Sequence, residues 1–323
     1  MIECPFAIFS GSSHEDLARR IAADLGTSLG SVFRETFPDG EIGIQIQENV
    51  RGKDVFIVQS LARNPNRNLM ELLIMVDALK RASARSVIAV LPYFAYARQD
   101  RKDKGRVPIT ARLVANLLEK AGVARVLTMD LHTEQIQGFF DIPVDNLYAR
   151  PILVRTLQEK KVENLIVVSP DVGSNKLARK FAEDLDVGLA IVDKRRIDSR
   201  RVDVHALIGD VEGRNVVLVD DMCSTGSTLK LAAQVCREYG AKSVRAAVTH
   251  ALLLGGGFEE VGIEEIIATD TVAPGSQRAT IVSVAPLFAQ AIGCVVAARS
   301  ISSLYAPKSK VMDGYEKIDN FSA

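Results

Sequence analysis

Residues Val216–Leu229 read VVLVDDMCSTGSTL, and this stretch decides the fold. The run Val216–Val219 is apolar without alternation, which predicts a strand that is buried on both faces. Asp220 and Asp221 come next, and a turn rich in Ser, Thr and Gly leads into the amphipathic segment Ser227–Gly240. A strand, a polar turn and a helix in this order form the repeating unit of a parallel sheet covered by helices.

The same unit recurs along the chain. Further apolar runs are Val55–Val58, Val87–Leu91, Val126–Met129, Leu165–Val168, Leu189–Val192 and Ile281–Val284. Amphipathic patterns at helical spacing lie between such runs, for example at Asn68–Ser83 and Thr110–Ala121. The alternation predicts an α/β fold. A boundary is expected at Asp145–Pro151, where a proline opens a new helix, so that each half holds its own sheet.

Composition excludes several classes of partner. The 323 residues carry 40 basic and 40 acidic side chains, so no net charge calls for a nucleic acid or an anionic membrane. The four cysteines are scattered without the spacing of a zinc site. Neither a signal peptide nor an apolar run long enough to span a membrane is visible. We therefore expect a soluble, cytoplasmic protein that binds neither nucleic acid nor membrane.

The acid pair Asp220–Asp221 beside the turn Ser224–Thr228 predicts a sugar phosphate site. Two adjacent carboxylates accept hydrogen bonds from vicinal hydroxyls, directly or through a divalent cation. Hydroxyls and backbone N–H groups at a helix start hold a phosphate. The combination suits a ribose 5-phosphate. The alternative is an ordinary strand, turn and capped helix, but two buried acids without a partner would be costly.

Charged residues also follow four other predicted strands. Taken singly, His132 is more often an ordinary histidine than a ligand, and a basic run is usually a solvated loop. Together they indicate a polyphosphate and its magnesium ion, because strand ends of a parallel sheet meet at one edge. These residues are Arg98–Lys104 after one strand, Asp130 and His132 after the next, Asp171 after a third, and Asp193–Arg196 after a fourth.

Other phosphate and nucleophile motifs are absent or out of context. The chain contains no GxxxxGK[ST] loop and no GxGxxG after a strand, which argues against a P-loop kinase and a Rossmann dehydrogenase. One GxSxG match, Gly26–Gly30, follows a helical pattern rather than a strand, so it does not predict a hydrolase.

The segment Val216–Leu229 resembles the phosphoribosyl pyrophosphate signature of type I phosphoribosyltransferases and of ribose-phosphate pyrophosphokinases. Further segments resemble only the second family, and the resemblance runs from about Phe9 to Leu304. These segments are Phe37–Glu41, Asn49–Val55, Asn68–Leu73, Pro92–Lys102, Thr128–His132, Gln135–Phe140 and Asp193–Arg196.

The resemblance implies two phosphoribosyltransferase-like domains, each a mainly parallel sheet flanked by helices. They would cover residues 1–147, joined by the C-terminal segment 305–323, and residues 148–304. It implies a ribose-phosphate diphosphokinase that transfers the pyrophosphoryl group of Mg-ATP to the 1-hydroxyl of ribose 5-phosphate. The products would be AMP and phosphoribosyl pyrophosphate for nucleotide, histidine and tryptophan synthesis. A homohexamer assembled from dimers, with shared active sites and an allosteric site, is also implied.

The resemblance assigns roles residue by residue. Lys194 and Arg196 would be catalytic, on a mobile loop that closes over the reacting phosphates. Ribose 5-phosphate would contact Asp220, Asp221, Ser224, Thr225, Gly226, Ser227 and Thr228. ATP would contact Arg98, Gln99 and Asp100, together with Phe37, Asp39, Gly40 and Glu41 from a neighbouring subunit. Magnesium would contact His132 and Asp171, with Asp130 as a further candidate.

Three positions, and the segment after Arg196, depart from the family pattern. Ser174 stands where a second glycine is common, Leu177 where an arginine is common, and Ser224 where an acid is more frequent. Two other functions stay open at this point. A plain phosphoribosyltransferase would use the same sugar phosphate turn, and a non-catalytic homologue would bind the true synthase. The clusters Arg98–Lys102 and Lys194–Arg196 argue against the first, and the retained His132 and Asp220 argue against the second.

Overall fold

The structure is a computed structural model that describes residues 6–195, 204–252, 262–274 and 279–305. The strands of the first sheet are β1 (Phe6–Ser10), β4 (Asp54–Val58), β5 (Ser86–Leu91), β6 (Arg125–Met129) and β7 (Val144–Leu147). They lie in the order β1-β4-β5-β6-β7, and every pair is parallel. The chain leaves this sheet at Leu147.

Three helices cover the first sheet, and a hairpin packs beside it. The helices are α1 (Glu15–Asp24), α2 (Pro65–Arg81) and α3 (Thr110–Ala121), and the hairpin strands are β2 (Val32–Thr36) and β3 (Ile42–Ile46). A 3-10 turn, Glu134–Phe139, follows β6. Helix α3 starts at Thr110, where its apolar pattern starts, whereas α2 starts at Pro65, before the pattern at Asn68. Helix α3 ends at Gly122, whose φ of 112° allows the left-handed turn that closes the helix.

The second sheet is larger and mainly parallel. Its strands are β8 (Leu165–Ser169), β9 (Gly188–Arg195), β10 (Val204–Ile208), β11 (Asn215–Cys223), β12 (Ser243–Ala251), β13 (Ile263–Thr269) and β14 (Thr280–Val282). The order among described residues is β10-β9-β8-β11-β12-β13-β14, and only the β9–β10 pair is antiparallel. The helices are α4 (Arg150–Glu159), α5 (Asn175–Leu185), α6 (Ser227–Glu238) and α7 (Ala285–Val296), followed by a 3-10 turn at Ile301–Tyr305.

One apolar layer joins the two sheets. Phe56 of the first sheet and Val217 of the second belong to the same buried cluster, and α1 packs against α7 within it. The outer faces of the sheets bury separate clusters. Both sheets therefore present their strand ends from one continuous body. No helix in the described ranges is long and apolar enough to cross a bilayer.

The α/β fold of two mainly parallel sheets is confirmed, and α4 opens with Pro151 as the sequence predicts. The domain limits at 147 and 304 stay predictions, and residues 306–323 lie outside the described residues. Two strands run further than their apolar segments. β11 continues through Asp220 and Asp221, because its ladder with β12 extends to the pair Cys223 and Ala251. β9 continues to Arg195 by pairing with β10, so the backbone of Lys194 lies in a strand rather than a loop.

Candidate active site

An open cleft of about 1180 Å³ lies where the carboxyl ends of strands from both sheets meet. Strand ends from β6, β8 and β11 and the segment after β5 contribute its walls. The cleft brings together most of the residues that the sequence singles out, namely Arg98, Gln99, Asp100, Asp130, His132, Asp171, Asp220, Asp221, Ser224, Thr225, Gly226, Ser227 and Thr228.

Asp220 is the more buried member of the acid pair, with 9% of its surface exposed. Its Oδ1 atom accepts hydrogen bonds from the Ser174 hydroxyl at 2.7 Å and from the Asp221 N–H at 2.9 Å. Burial and the adjacent Asp221 charge nevertheless raise the pKa of Asp220 to about 8. These surroundings therefore disfavour the ionised form of Asp220.

Asp221 pairs with His132 across the two sheets. The Nδ1 atom of His132 lies 2.7 Å from Asp221 Oδ2. The hydrogen bond to Asp221 raises the pKa of His132. Burial opposes ionisation of Asp221, but the hydrogen bond and charge of His132 hold the pKa of Asp221 below its ordinary value. Both pKa shifts favour a protonated His132 and an ionised Asp221, which together form an imidazolium–carboxylate pair.

Asp171 closes the turn between β8 and α5. Its Oδ1 atom accepts from the Ser174 N–H at 3.0 Å and from the Ser174 hydroxyl at 3.2 Å. The same hydroxyl also reaches Asp220, so Ser174 connects two acids of the cleft. His132 contacts Asp221, and Asp171 contacts Ser174. No three His, Cys, Asp or Glu side chains converge as a metal site in the part of the chain that the structure covers.

The segment Ser224–Thr228 forms the turn that opens α6. Gly226 adopts a left-handed conformation with φ of 80° immediately before the helix, which glycine tolerates without strain. The hydroxyls of Thr225 and Ser227 lie 2.9 Å apart. The first N–H groups of a helix point outward from its start, so this turn presents hydroxyls and a positive dipole end to an anion.

The segment after β5 forms the opposite wall of the cleft. Thr133 donates to Asp100 Oδ2 at 2.8 Å, which ties this segment to the turn that carries His132. Gln99 is fixed by its backbone, whose carbonyl accepts from the Ala111 N–H at 3.2 Å at the start of α3. Arg98 lines the same wall. Cationic side chains thus face the acid pair across the cleft.

The four hairpin residues predicted to contact ATP do not line the cleft. Phe37, Asp39, Gly40 and Glu41 form the exposed tip of the β2–β3 hairpin, closed by a 2.8 Å bond from Phe37 N–H to the Glu41 carbonyl. Lys194 is described only through its strand, and Arg196 lies outside the described residues.

Sequence reasoning missed two contributors to this region, Thr249 and His250. Both are buried at the end of β12, and both contact the turn that precedes His132. They follow the apolar run of β12, as the acids follow other strands, so the same inspection of strand ends would have found them.

The fold and the cleft define a protein of two phosphoribosyltransferase-type domains. Residues 6–122 match the family described as the N-terminal domain of ribose phosphate pyrophosphokinase, and residues 143–265 match the phosphoribosyl transferase domain. The ribose-phosphate pyrophosphokinase of Ralstonia nicotianae is 51% identical over 308 residues, which cover 93% of this chain and 98% of that protein. The one from Campylobacter jejuni is 48% identical over 305 residues, with 93% and 99% covered.

A solved structure agrees with these relatives. The phosphoribosylpyrophosphate synthetase of Mycobacterium smegmatis superposes with a TM-score of 0.86 at 41% identity, covering 91% of this chain and all of that one. The chain belongs to the ribose-phosphate pyrophosphokinase family. The family, the fold class and the enzymatic activity predicted from the sequence are thereby confirmed.

Proposed function

We propose that this chain transfers the β,γ-pyrophosphoryl group of ATP to the 1-hydroxyl of ribose 5-phosphate. The bond from the sugar oxygen to Pβ forms, the bond from Pβ to the α,β-bridging oxygen breaks, and AMP leaves with that oxygen. The product, phosphoribosyl pyrophosphate, would supply nucleotide, histidine and tryptophan synthesis. The observation that carries the proposal is the single cleft in which the acid pair and the Ser224–Thr228 turn face the Arg98–Asp100 wall.

The sugar phosphate would lie on the β11 and α6 side. The turn Ser224–Thr228 would hold the 5-phosphate through hydroxyls and helix N–H groups. Asp220 and Asp221 would accept hydrogen bonds from the ribose hydroxyls, in line with carboxylates that stand above this turn. In this arrangement the 1-hydroxyl would be directed toward the Arg98–Asp100 wall, where the triphosphate is expected.

ATP would lie along the Arg98–Asp100 wall. Pyrophosphoryl transfer needs in-line positioning and neutralisation of spreading negative charge rather than a covalent nucleophile. Arg98 would supply charge from the wall. Lys194 and Arg196 are proposed as the catalytic cations on the basis of the family pattern, and they would act from the end of β9.

The donors of the cleft fit a magnesium ion. Burial and the neighbouring charge of Asp221 raise the pKa of Asp220, and a hard cation prefers such carboxylate oxygens. His132, Asp171 and Asp130 line the same space. Magnesium keeps much of its water shell and binds proteins through one or two side chains plus substrate phosphates, so a closed protein cage is not required. When bound, it would neutralise charge on the triphosphate.

We further propose that the protein acts in the cytoplasm as a homohexamer assembled from dimers. The hairpin tip Phe37–Glu41 lies outside the cleft, and 43% of Phe37 is exposed, which suits an aromatic contact to an adenine held by a neighbouring subunit. Cys223, Cys236 and Cys294 are free thiols, as is usual in a reducing compartment.

The decisive experiment compares three reactions of the purified protein. AMP release from ATP with magnesium should require ribose 5-phosphate and should proceed without any nucleobase. Pyrophosphate release from phosphoribosyl pyrophosphate with adenine, guanine or orotate should stay at background. Activity in the second assay without the first would identify a transferase instead, and activity in neither would identify a non-catalytic homologue. Repeating the first assay with inorganic phosphate and with ADP would show whether the family's allosteric control is present.

A further inference from the structure

A buried polar cluster joins the turn after β6, in the first sheet, to β12 in the second. The Thr249 hydroxyl donates to Asp130 Oδ2 at 2.7 Å, and the Ala149 N–H donates to the same oxygen at 3.1 Å. Only 2% of Thr249 is exposed. The carboxylate of Asp130 is therefore fixed from both halves of the chain.

His250 contacts the backbone of the same turn. Its Nε2 atom lies 3.1 Å from the Met129 carbonyl oxygen and 3.2 Å from that of Asp130, and its Nδ1 atom lies 2.9 Å from Thr271 Oγ1. Carbonyl oxygens only accept, so Nε2 carries the proton. Burial lowers the pKa of His250, in keeping with a neutral ring. Tyr93 packs edge-on against this ring, with centroids 5.0 Å apart.

These contacts hold a backbone conformation that the chain would not adopt unaided. Asp130 has φ of 38°, in the left-handed region that is disfavoured for a residue with a Cβ atom. The reversal is followed by Leu131, whose N–H donates to Asn146 Oδ1 at 3.1 Å, and then by His132. The position of the His132 ring thus depends on how Asp130 is held.

Both residues of the His132–Asp221 contact are positioned by contacts with the same strand, β12. Asp221 lies on β11, which pairs with β12 so that Met222 stands beside His250. His132 is set by the Asp130 turn, which Thr249 and His250 hold. The side chains of Thr249 and His250 contact the Asp130 turn, whereas Asp221 depends on the backbone ladder between β11 and β12, so side-chain substitutions at 249 and 250 act first on the His132 partner.

We propose that Thr249 and His250 are positioning residues that fix the Asp130 turn and so set His132 against Asp221 in the active cleft. The proposal rests on the proposed function, because its kinetic consequence concerns the triphosphate side of that cleft. Neither side chain lines the cleft itself, so neither is expected to touch a substrate.

The test compares T249V, which removes the hydroxyl and keeps the shape, with T249S, which restores the hydroxyl. The matched control is S60A. The Ser60 hydroxyl is also buried and also joins the two halves, by donating to the Thr271 carbonyl at 2.6 Å, but it does not touch the Asp130 turn. We expect T249V to lower kcat/KM for ATP about ten- to a hundredfold, as small misplacements of reacting groups do. KM for ribose 5-phosphate should stay within about twofold, and T249S should recover most of the loss.

S60A should lower Tm about as much as T249V does and leave the kinetics near those of the wild type. Equal kinetic losses in T249V and S60A at equal Tm would overturn the proposal. If T249V does not fold, H250Q and H250L replace it. H250Q keeps a donor near the Nε2 position and should retain far more kcat/KM for ATP than H250L, and equal values would likewise overturn the proposal.

A spectroscopic measurement separates this proposal from the proposed function. The ring resonance of His132 in a ¹H–¹³C spectrum should move in T249V and stay in place in S60A, whether or not the protein releases AMP. Absence of AMP release by the wild type would contradict the proposed function alone, whereas an unmoved His132 resonance in folded T249V would contradict the positioning role.

Discussion

The Nδ1 atom of His132 lies 2.7 Å from Asp221 Oδ2, and this contact joins the last turn of the first sheet to the central strand pair of the second. The two residues are 89 positions apart. A substrate that bridges the two halves of the cleft would bind on either side of this pair. The charges of the His132–Asp221 pair lead to separate predictions for the stability of the protein and for the kinetics of its reaction.

Replacing Asp220 or Asp221 by asparagine should change the free energy of unfolding in opposite directions. The pKa of Asp220 is raised to about 8 in the folded state, so its ionisation penalises folding as pH rises from about 4 through about 8. D220N should therefore stabilise the metal-free, ligand-free protein at pH 7.5 by roughly 1–2 kcal/mol, while activity is lost. The asparagine keeps the Oδ1 acceptor that Ser174 and the Asp221 N–H use.

Asp221 provides the matched control in the same measurement. Its pKa is lowered by His132, so it stabilises the fold above its ordinary pKa and loses this contribution as pH falls. D221N should accordingly lower stability at pH 7.5 by about 1 kcal/mol, because it breaks an ion pair in which Asp221 is half-buried and His132 is 37% exposed. Thermal or urea unfolding at pH 5.5 and 7.5 measures both, and shifts of the same sign for the two variants would contradict this electrostatic description.

The pH dependence of His132 follows from the same contact. Its pKa is raised by Asp221, so the stabilising pair is complete below the ordinary histidine value of about 6.5 and is lost as pH rises through the higher folded value. A titration of the His132 ring resonance in metal-free protein should give a pKa above that of an exposed histidine. In D221N the value should return toward normal, and an unchanged value would exclude Asp221 as the cause.

Ser174 should tune the sugar side of the cleft, because its hydroxyl reaches both Asp171 and Asp220. S174G, which restores the residue common in the family pattern, removes one donor from Asp220. We expect KM for ribose 5-phosphate to rise about three- to tenfold, the value of one ordinary hydrogen bond, with kcat little changed. S169A is the control, since the Ser169 hydroxyl donates to the Asp171 carbonyl and not to a carboxylate. Steady-state kinetics in which the two variants match would argue against this role.

Lys194 should act in the transition state. K194A is expected to lower kcat by about 10²–10³ and to change KM for ATP much less, as expected for a cation that meets developing charge. K161A is the control, because Lys161 lines a separate small cavity with Arg214 away from the cleft. An unchanged kcat in K194A would remove Lys194 from the catalytic role.

Shared active sites can be tested by mixing two inactive variants. If the hairpin tip completes a neighbour's site, the double variant Phe37→Ala and Asp39→Ala inactivates the active site of the adjacent subunit. K194A instead inactivates the active site of the subunit that carries it. Dissociating and reassembling the two together should then create some intact sites and restore part of the activity. Activity that stays at the level of the separate variants would show that each site is built from one chain.

The apolar strands, the helices and most of the cleft could be predicted from sequence, because burial on both faces leaves an uninterrupted apolar run such as Leu165–Val168. The ends of β9 and β11 could not, since their polar residues stay in the ladder only through pairing with β10 and β12. The β2–β3 hairpin was detectable in principle from the alternation in Ile42–Ile46.

The contacts between the two sheets could not be predicted from sequence patterns. Thr249 meets Asp130 across 119 positions, and His132 meets Asp221 across 89. Such pairs arise from how α1 and α7 bring the two sheets together, which depends on the packing of the shared apolar layer rather than on any local motif. The residue types at strand ends indicate a phosphate site, whereas the pairing that orders them is a tertiary property.

The most direct test of the central claim is a ³¹P NMR record of the wild-type protein with ATP, magnesium and ribose 5-phosphate. Transfer of the pyrophosphoryl group predicts AMP and a sugar diphosphate in equal amounts, with two coupled phosphorus resonances on the sugar in addition to the 5-phosphate. Formation of ADP with a singly phosphorylated new position on the sugar would contradict it, because only one phosphoryl group would then have moved.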